Sequence, residues 1–176
     1  MSDRTLGGRQ VEIVVQSTIP PERVLENVAL SFARDTPRFA KLPNLGKGKG
    51  PVAIVGGGPS VQNELENLRS FPGPVIGCGS VHDFLVENGI FPAFHVICDP
   101  EAVVVNWLKR AAGRHFSPIT YLIASQCHPD VFQRLEGHEI RLWHATVIMS
   151  ADGKSLCDFR GEPEIPGGDF VIGRAW

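Results

Sequence analysis

A glycine-rich turn is the first stretch of this sequence whose residue types could do chemistry. It follows an apolar run at 52–55 and consists of Gly56, Gly57, Gly58, Pro59 and Ser60. Glycines admit positive φ angles and let a ligand approach the backbone, because no Cβ stands in the way. Pro59 suits the first position of a helix, so we expect unpaired N–H groups at Ser60 and Val61 that face an anion, with the Ser60 hydroxyl as a further donor. The turn predicts a phosphate-binding site, and a plain corner between strand and helix is the alternative.

Two common nucleotide fingerprints fail to match this turn. An ATPase P-loop requires G-x-x-x-x-G-K-[ST], but no Lys-Ser or Lys-Thr follows these glycines at that spacing. A dinucleotide site requires G-x-G-x-x-G and an acidic residue about 20 positions later. Here Val61 replaces the third glycine, and the second predicted strand ends in "GCGS". A P-loop is therefore excluded, and a classical NAD site is disfavoured.

Small and acidic residues also follow the second and third predicted strands. The second strand ends in Cys78, Gly79 and Ser80, where Ser80 with Asp83 resembles a capping box. Cys78 is a candidate contact in this second loop, and a buried thiol is the alternative. Asp99 ends the third strand, where it could bind Mg²⁺ that bridges nucleotide phosphates or could cap a helix. Because the carboxyl ends of parallel strands meet at one edge of a sheet, we expect both loops near the glycine turn.

Further candidates lie at the later strand ends. Ser125 ends the fourth strand and could contact a base, a ribose or an acceptor. His144, at the end of the fifth, is the best candidate for a general base by position, although a strand-end histidine is more often structural. Gly167 and Gly168 precede a possible helix that could close over a ligand, and a chain end with no role in binding is the alternative. The six histidines show no H-E-x-x-H pattern, so a zinc site is not expected.

The composition limits the class of protein. The 176 residues are 43% hydrophobic and 20% charged, as in one globular domain with a core. The 17 basic and 19 acidic residues leave no positive surplus, so nucleic acid is not an expected partner. No signal-like start and no apolar run of roughly 18 residues occur, which predicts a cytoplasmic protein without a membrane span. The four cysteines are far apart in sequence, which favours free thiols.

The order of the predicted elements indicates an α/β fold. Short β-rich runs recur as "VAIV", "PVIG", "FHVIC", "ITYLIA" and "EIRLWHA", and helical patterns follow most of them. This alternation predicts a Rossmann-like open parallel sheet with helices on both faces. Residues 1–50 read as a lead-in strand, a helix and a linker, and residues 51–176 as the main domain. Because a further strand would normally follow, we expect a domain that is truncated at its C-terminal end.

With these residues in place, the sequence resembles the MptE-like family. The resemblance is carried by "IVGGGPSV", "VIGCGSVHDFLVENGIFPAFHVICDP" and "GGDFVIGRA", and the lead-in "STIPPERVLENV" is similar to that of short members. The family takes its name from archaeal 6-hydroxymethylpterin diphosphokinases and includes the central domain of Maf flagellin glycosyltransferases and many phage-encoded proteins. Its Gly-Pro-Ser turn is similar to that of bacterial sialyltransferases, which use CMP-activated sugars.

The resemblance implies a role for each matching residue. Gly56, Gly58, Pro59 and Ser60 would form the nucleotide phosphate loop, Gly79 and Ser80 the second loop, and Asp99 the acidic strand end. Gly167 and Gly168 would match the glycine pair that opens a late helix. The implied function is a nucleotide-dependent transferase that moves a diphosphoryl group from ATP with Mg²⁺. The alternatives are a glycosyltransferase that uses a CMP-activated sugar and a glycan or small-molecule acceptor, and a non-catalytic nucleotide-binding remnant.

Overall fold

Six parallel strands form the centre of the fold. The computed structural model describes residues 4–6, 9–11, 19–39, 50–112, 119–145 and 164–165. Strands β1 (Arg4–Leu6) and β2 (Arg9–Val11) form a separate antiparallel pair. The main sheet has the order β3-β4-β5-β6-β7-β8. Its strands are β3 (Ala53–Val55), β4 (Val75–Cys78), β5 (Phe94–Ile97), β6 (Thr120–Ala124), β7 (Glu139–Ala145) and β8 (Glu164–Ile165). The predicted α/β class and open parallel sheet are confirmed.

Short helices connect most of these strands. The α-helices are α1 (Pro21–Phe32), α2 (Leu65–Arg69), α3 (His82–Glu87) and α4 (Pro129–Arg134). Among the described residues, 3₁₀ helices span Pro59–Glu64, Gly79–Val81 and Ala102–Trp107. Gly89 follows α3 with φ +72°, a left-handed conformation that favours glycine just after the end of a helix.

The strand register gives the two faces of the sheet different characters. Paired residues of parallel strands share a face, so one row crosses four strands through Val55, Gly77, His95 and Tyr121. All four of these residues are buried. The row beside it begins at Ile54, which is 56% exposed, and it lies on the opposite face. The described helices thus belong to the buried face.

Two apolar clusters form the core on that face. The larger joins Ile123 of β6 and Leu142 of β7 to α4 and the 3₁₀ helix at Ala102–Trp107, and Phe32 of α1 packs against it. The smaller joins Val55 and Val75 to α3, with side chains of α2 packed around it. Each of α1 to α4 therefore contributes to these clusters. The predicted helical layer on the opposite face stays a prediction.

Helix α1 is joined to the sheet by a buried asparagine. Asn27 is 1% exposed, and its Nδ2 donates to the backbone oxygens of Gln126 at 3.0 Å and Pro100 at 3.4 Å. Both acceptors follow carboxyl ends of strands. The backbone N–H of Leu142 also donates to the Pro37 oxygen at 2.8 Å. The lead-in helix thus packs on the edge of the sheet at which the candidate residues lie, while the linker at 41–49 lies outside the described residues. Every helix in the described ranges is too short or too polar to cross a bilayer.

Replacement of Asn27 by alanine tests this attachment. Asn27→Ala leaves two loop carbonyls without their donor, so we expect a loss of about 1–3 kcal/mol in the free energy of unfolding. The midpoint of urea unfolding measures the loss. Asn63→Ala, at an exposed position, is the matched control and is expected to change stability by less than about 0.5 kcal/mol. Equal midpoints for the two variants would contradict the role of Asn27.

Candidate functional site

A cavity of about 760 Å³ lies at the carboxyl ends of β3, β4 and β5. This is the edge of the sheet at which ligands of open α/β proteins bind. Three strand ends meet there: the glycine turn after β3, the loop after β4 and the acidic residue after β5. The predicted residues that line the cavity are Gly56, Gly57, Gly58, Ser60, Cys78, Gly79, Ser80 and Asp99. The structure thus brings together most residues that the sequence placed at separate strand ends.

The glycine turn enters a 3₁₀ helix. Gly58 is its N-cap residue in an extended conformation (φ −71°, ψ 155°), and Pro59 takes the first helical position, as predicted. The expectation of an unpaired N–H at Val61 is wrong, because this group donates to the Gly58 oxygen at 3.2 Å. The reason is that 3₁₀ hydrogen bonds span three residues and so use an N–H group that a regular α-helix leaves unpaired. Pro59 itself does not line the cavity.

Gly57 allows the first two loops to touch. A Cβ built at Gly57 would lie 2.1 Å from the Ser80 Oγ and 3.4 Å from its Cβ. An alanine at position 57 would therefore displace the Ser80 side chain. Ser60 and Ser80, one from each loop, both line the cavity.

The second loop is not held by the predicted capping box. No side-chain cap is present at the start of α3, and Asp83 instead accepts hydrogen bonds from the backbone N–H groups of Lys109 and Arg110 at 3.0 and 3.1 Å. The prediction of a box formed by Ser80 and Asp83 is thus wrong. The chain enters α3 through a 3₁₀ turn, and the carboxylate is used to join this turn to the loop after the next 3₁₀ helix.

A buried polar cluster lies below the second loop. His95 Nε2 donates to the Gly79 oxygen at 3.1 Å. His82 bonds Asp83 through Nδ1 at 2.8 Å and the Tyr121 hydroxyl through Nε2 at 2.9 Å. Because the carboxylate can only accept, His82 carries its proton on Nδ1 and the Tyr121 hydroxyl donates to Nε2. Burial lowers the pKa of His82 and raises the pKa of Tyr121, so both groups stay neutral.

Asp99 serves as a local cap and also lines the cavity. Its Oδ1 accepts the backbone N–H of Glu101 at 2.9 Å. The described residues contain no group of three or more His, Cys, Asp or Glu side chains that could hold a metal ion. A single carboxylate fits Mg²⁺, which commonly takes one or two protein carboxylates and completes its shell with phosphate oxygens and water. The metal role of Asp99 stays a prediction. The single carboxylate is compatible with it.

The cysteines near the cavity are poor nucleophiles. Cys78, Cys98 and Cys127 are free, as predicted, and Cys157 lies outside the described residues. Burial raises the pKa of Cys78, and it raises the pKa of Cys98 to about 11 with help from the neighbouring Asp99 charge. Since the thiolate is the reactive form, these thiols are neutral and unreactive at pH 7.

Comparison with known proteins identifies the family. The family model described as 6-hydroxymethylpterin diphosphokinase MptE-like matches residues 22–176. The chain belongs to the MptE-like family. A solved structure of a Maf glycosyltransferase from Magnetospirillum magneticum AMB-1 is similar, with a TM-score of 0.55 and 19% sequence identity. The match covers 78% of this chain and 23% of that one, and at this identity it shows the shared fold alone. None of the curated proteins compared with the sequence matches it.

Two predicted site residues of this MptE-like chain lie away from the cavity. Ser125 Oγ and His144 Nδ1 are 2.6 Å apart, and both side chains are buried. The His144 ring also packs against Phe32 of α1, with ring centroids 5.3 Å apart. Neither residue is among those that line the cavity. Their roles in binding and catalysis stay predictions, as do those of Gly167 and Gly168, which lie outside the described residues.

Sequence reasoning missed part of the cavity wall. The lining residues that were not predicted as site residues are mostly apolar, and they include Ile54, Glu64, Asn67, Leu68, Phe71 and Trp107. Leu68 belongs to α2, and helical spacing in a sequence indicates a buried face but not a cavity. Trp107 is the last residue of a 3₁₀ helix, whose type and bounds composition does not indicate.

Acidification is expected to destabilise this MptE-like domain through His95. Burial, and then the repulsion that a proton on His95 would meet from a proton on His82, lower the pKa of His95 from 6.5 to about 3. Between pH 6.5 and pH 3 the unfolded chain therefore binds a proton at His95, whereas the folded chain does not. The contribution of neutral His95 to the free energy of unfolding is complete above pH 6.5. It decreases as the pH is lowered, by up to about 1.4 kcal/mol per pH unit.

Urea unfolding between pH 7.5 and 4.5 measures this dependence. His95→Gln removes the titrating group but keeps a donor, so its stability is expected to fall less steeply with acid than that of the wild type. Parallel curves for the two proteins would contradict a neutral His95 in the folded state.

Proposed function

We propose that this protein is a nucleotide-dependent transferase that moves a diphosphoryl group from ATP to a small acceptor bearing a hydroxyl group. The observation that carries the proposal is that two glycine loops and Asp99 line one cavity. The membership of the MptE-like family supports the class of reaction. The cavity volume is within the range of about 300–1,000 Å³ that is typical of ligand pockets.

The two loops supply neutral donors for phosphate oxygens. Gly57 and Gly58 expose backbone at the end of β3, and the Ser60 and Ser80 hydroxyls line the same cavity. In this arrangement a phosphate chain would contact the loops, and the apolar walls formed by Leu68 and Phe71 would contact a flat ring. Asp99 would hold Mg²⁺ against the phosphates, which would neutralise part of their charge.

The proposed transfer is a displacement at phosphorus. The acceptor oxygen bonds to the β-phosphorus of ATP, the bond from that phosphorus to the oxygen shared with the α-phosphorus breaks, and AMP leaves with the electron pair. The hydroxyl proton passes to solvent. Such a transition state is loose in most analyses, so catalysis rests mainly on positioning and charge stabilisation. The loops are suited to both tasks, because their donors are fixed by contacts within the fold.

A second candidate function is transfer of a sugar from a CMP-activated donor. It is favoured by the likeness to the Maf glycosyltransferase, whose fold this chain shares. There the acceptor oxygen would bond to the anomeric carbon, and CMP would leave with the electrons of the broken bond. The same loops would contact the single phosphate of CMP.

A thermal-shift screen separates the candidates. The ligands are ATP, GTP, CMP and a CMP-activated sugar, each with and without Mg²⁺. A ligand that binds only the folded state adds RT ln(1 + [L]/Kd), or about 2.7 kcal/mol at 100 times Kd. We expect stabilisation by ATP only with Mg²⁺. Stabilisation by the cytidine ligands alone would favour the glycosyltransferase, and no response to any of them would overturn both enzyme proposals and leave a non-catalytic remnant.

A side chain added at Gly58 tests the location of the site. The backbone there is extended, and a Cβ would have only the Ser60 Oγ near it, at 4.0 Å, so Gly58→Val is expected to fold normally. Its isopropyl group would occupy the part of the cavity beside the glycine turn, where we propose that the phosphates bind. Nucleotide binding, measured by calorimetric titration, is therefore expected to be lost. Ser60→Ala removes one donor and is expected to weaken binding by about tenfold or less.

Gln62→Val is the matched control for Gly58→Val. It places the same side chain on the same 3₁₀ helix at an exposed position that does not line the cavity. Wild-type affinity is expected. Binding by a folded Gly58→Val variant with unchanged affinity would remove the glycine turn from the site.

A further inference from the structure

We propose that His95 is a positioning residue for the second loop: by donating from Nε2 to the Gly79 oxygen, it holds Gly79 and Ser80 in the conformation that a phosphate-bearing ligand needs. The inference rests on the proposed function for the identity of the ligand. His95 does not line the cavity, so it acts on the ligand only through the loop.

The proton on His95 is assigned by its partner. A carbonyl oxygen only accepts, so the 3.1 Å bond to Gly79 requires the proton on Nε2. Nδ1 is then an unprotonated acceptor, and it is buried with no hydrogen-bond partner. A buried acceptor without a partner is unfavourable, and an apolar side chain would avoid it. Compared with an apolar side chain, the imidazole therefore contributes one thing at this position: the hydrogen bond that it donates to the Gly79 oxygen.

The ring of His95 is fixed from several sides. Gly77, its partner on β4, has no side chain, and a Cβ there would lie 2.7 Å from Nδ1. The His82 ring meets the His95 ring edge to face, with centroids 5.0 Å apart, and the Tyr121 ring packs at 6.1 Å. His82 and Tyr121 are themselves joined by a hydrogen bond. The donor thus has a defined position relative to the sheet.

The position of Gly79 is transmitted to the cavity. Gly79 has φ +61°, a left-handed conformation that favours glycine. The next residue, Ser80, packs against Gly57 of the glycine turn. Movement of the Gly79 carbonyl would therefore shift Ser80 and disturb the contact between the two loops.

The experiment compares His95→Leu, which cannot donate, with His95→Gln, which can. The control is Trp143→Phe, because Trp143 Nε1 also donates to a backbone oxygen, that of Leu122 at 3.1 Å, but Leu122 does not line the cavity. Two quantities are measured: hydrogen exchange of the amides of Ser80 and Val81 in the ligand-free proteins, and calorimetric affinity for ATP with Mg²⁺ and for CMP. Thermal melting reports whether each variant folds.

We expect His95→Leu to speed exchange in the second loop and to weaken nucleotide binding by about tenfold, the value of one lost hydrogen bond. His95→Gln should restore both quantities, and Trp143→Phe should change neither. Wild-type exchange and affinity in folded His95→Leu would overturn the proposal, as would equal effects of the Leu and Gln variants. If His95→Leu does not fold, Gly77→Ala decides, since its Cβ displaces the same ring and should also weaken binding, whereas wild-type affinity there would count against the proposal.

Failure of the proposed function gives a different result. If the wild type binds neither ATP nor CMP, the function falls and the ligand part of this inference falls with it. The exchange rates in the ligand-free proteins still decide whether His95 holds the loop.

Discussion

The absence of a side chain at Gly77 is the constraint on which the candidate site depends. Gly77 and His95 are paired across β4 and β5, and a Cβ on the glycine would meet the imidazole at 2.7 Å. The space that this glycine leaves admits a histidine into the centre of a parallel sheet, a position that apolar side chains usually fill. From there the imidazole reaches the Gly79 oxygen at the end of β4. One missing side chain thus determines what lies below the second loop and how that loop is held.

The polar cluster under this loop is less stabilising than apolar side chains would be at the same place. His82 and His95 are fully buried, while Leu85 and Val81 beside them form a regular core. Neutral imidazoles avoid the larger penalty of a buried charge, but the His95 Nδ1 still lacks a partner. A fold under selection for stability alone would do better with apolar residues here. The cluster is better explained by the loop that it supports than by its contribution to the core.

The sequence predicted the strands and the order of the loops, because both depend on local patterns. The β-rich runs gave all five strands from β3 to β7, and the glycines after β3 and β4 indicated permissive loops at one edge. It did not predict the contact between Gly57 and Ser80 or the bond from His95 to Gly79, since both depend on register between strands. The Val61 N–H was assigned wrongly for a related reason: composition indicates a helix start but not whether its first turn is 3₁₀.

Strand order and the packing of helix α1 together explain which candidates meet at the cavity and which do not. Gly56, Gly79 and Asp99 follow three adjacent strands, β3 to β5, so a single cavity reaches all of them. Ser125 follows β6, and His144 lies near the end of the adjacent strand β7; they meet each other beside α1 instead. Position at a strand end is therefore not enough to define a site. Strand order alone does not separate the two groups, because β5 and β6 are adjacent. Helix α1 makes the difference: its Phe32 packs on His144, and its Asn27 donates to the oxygens of Gln126 and Pro100. The lead-in helix thus lies over the buried Ser-His pair, whereas the two glycine loops line the cavity.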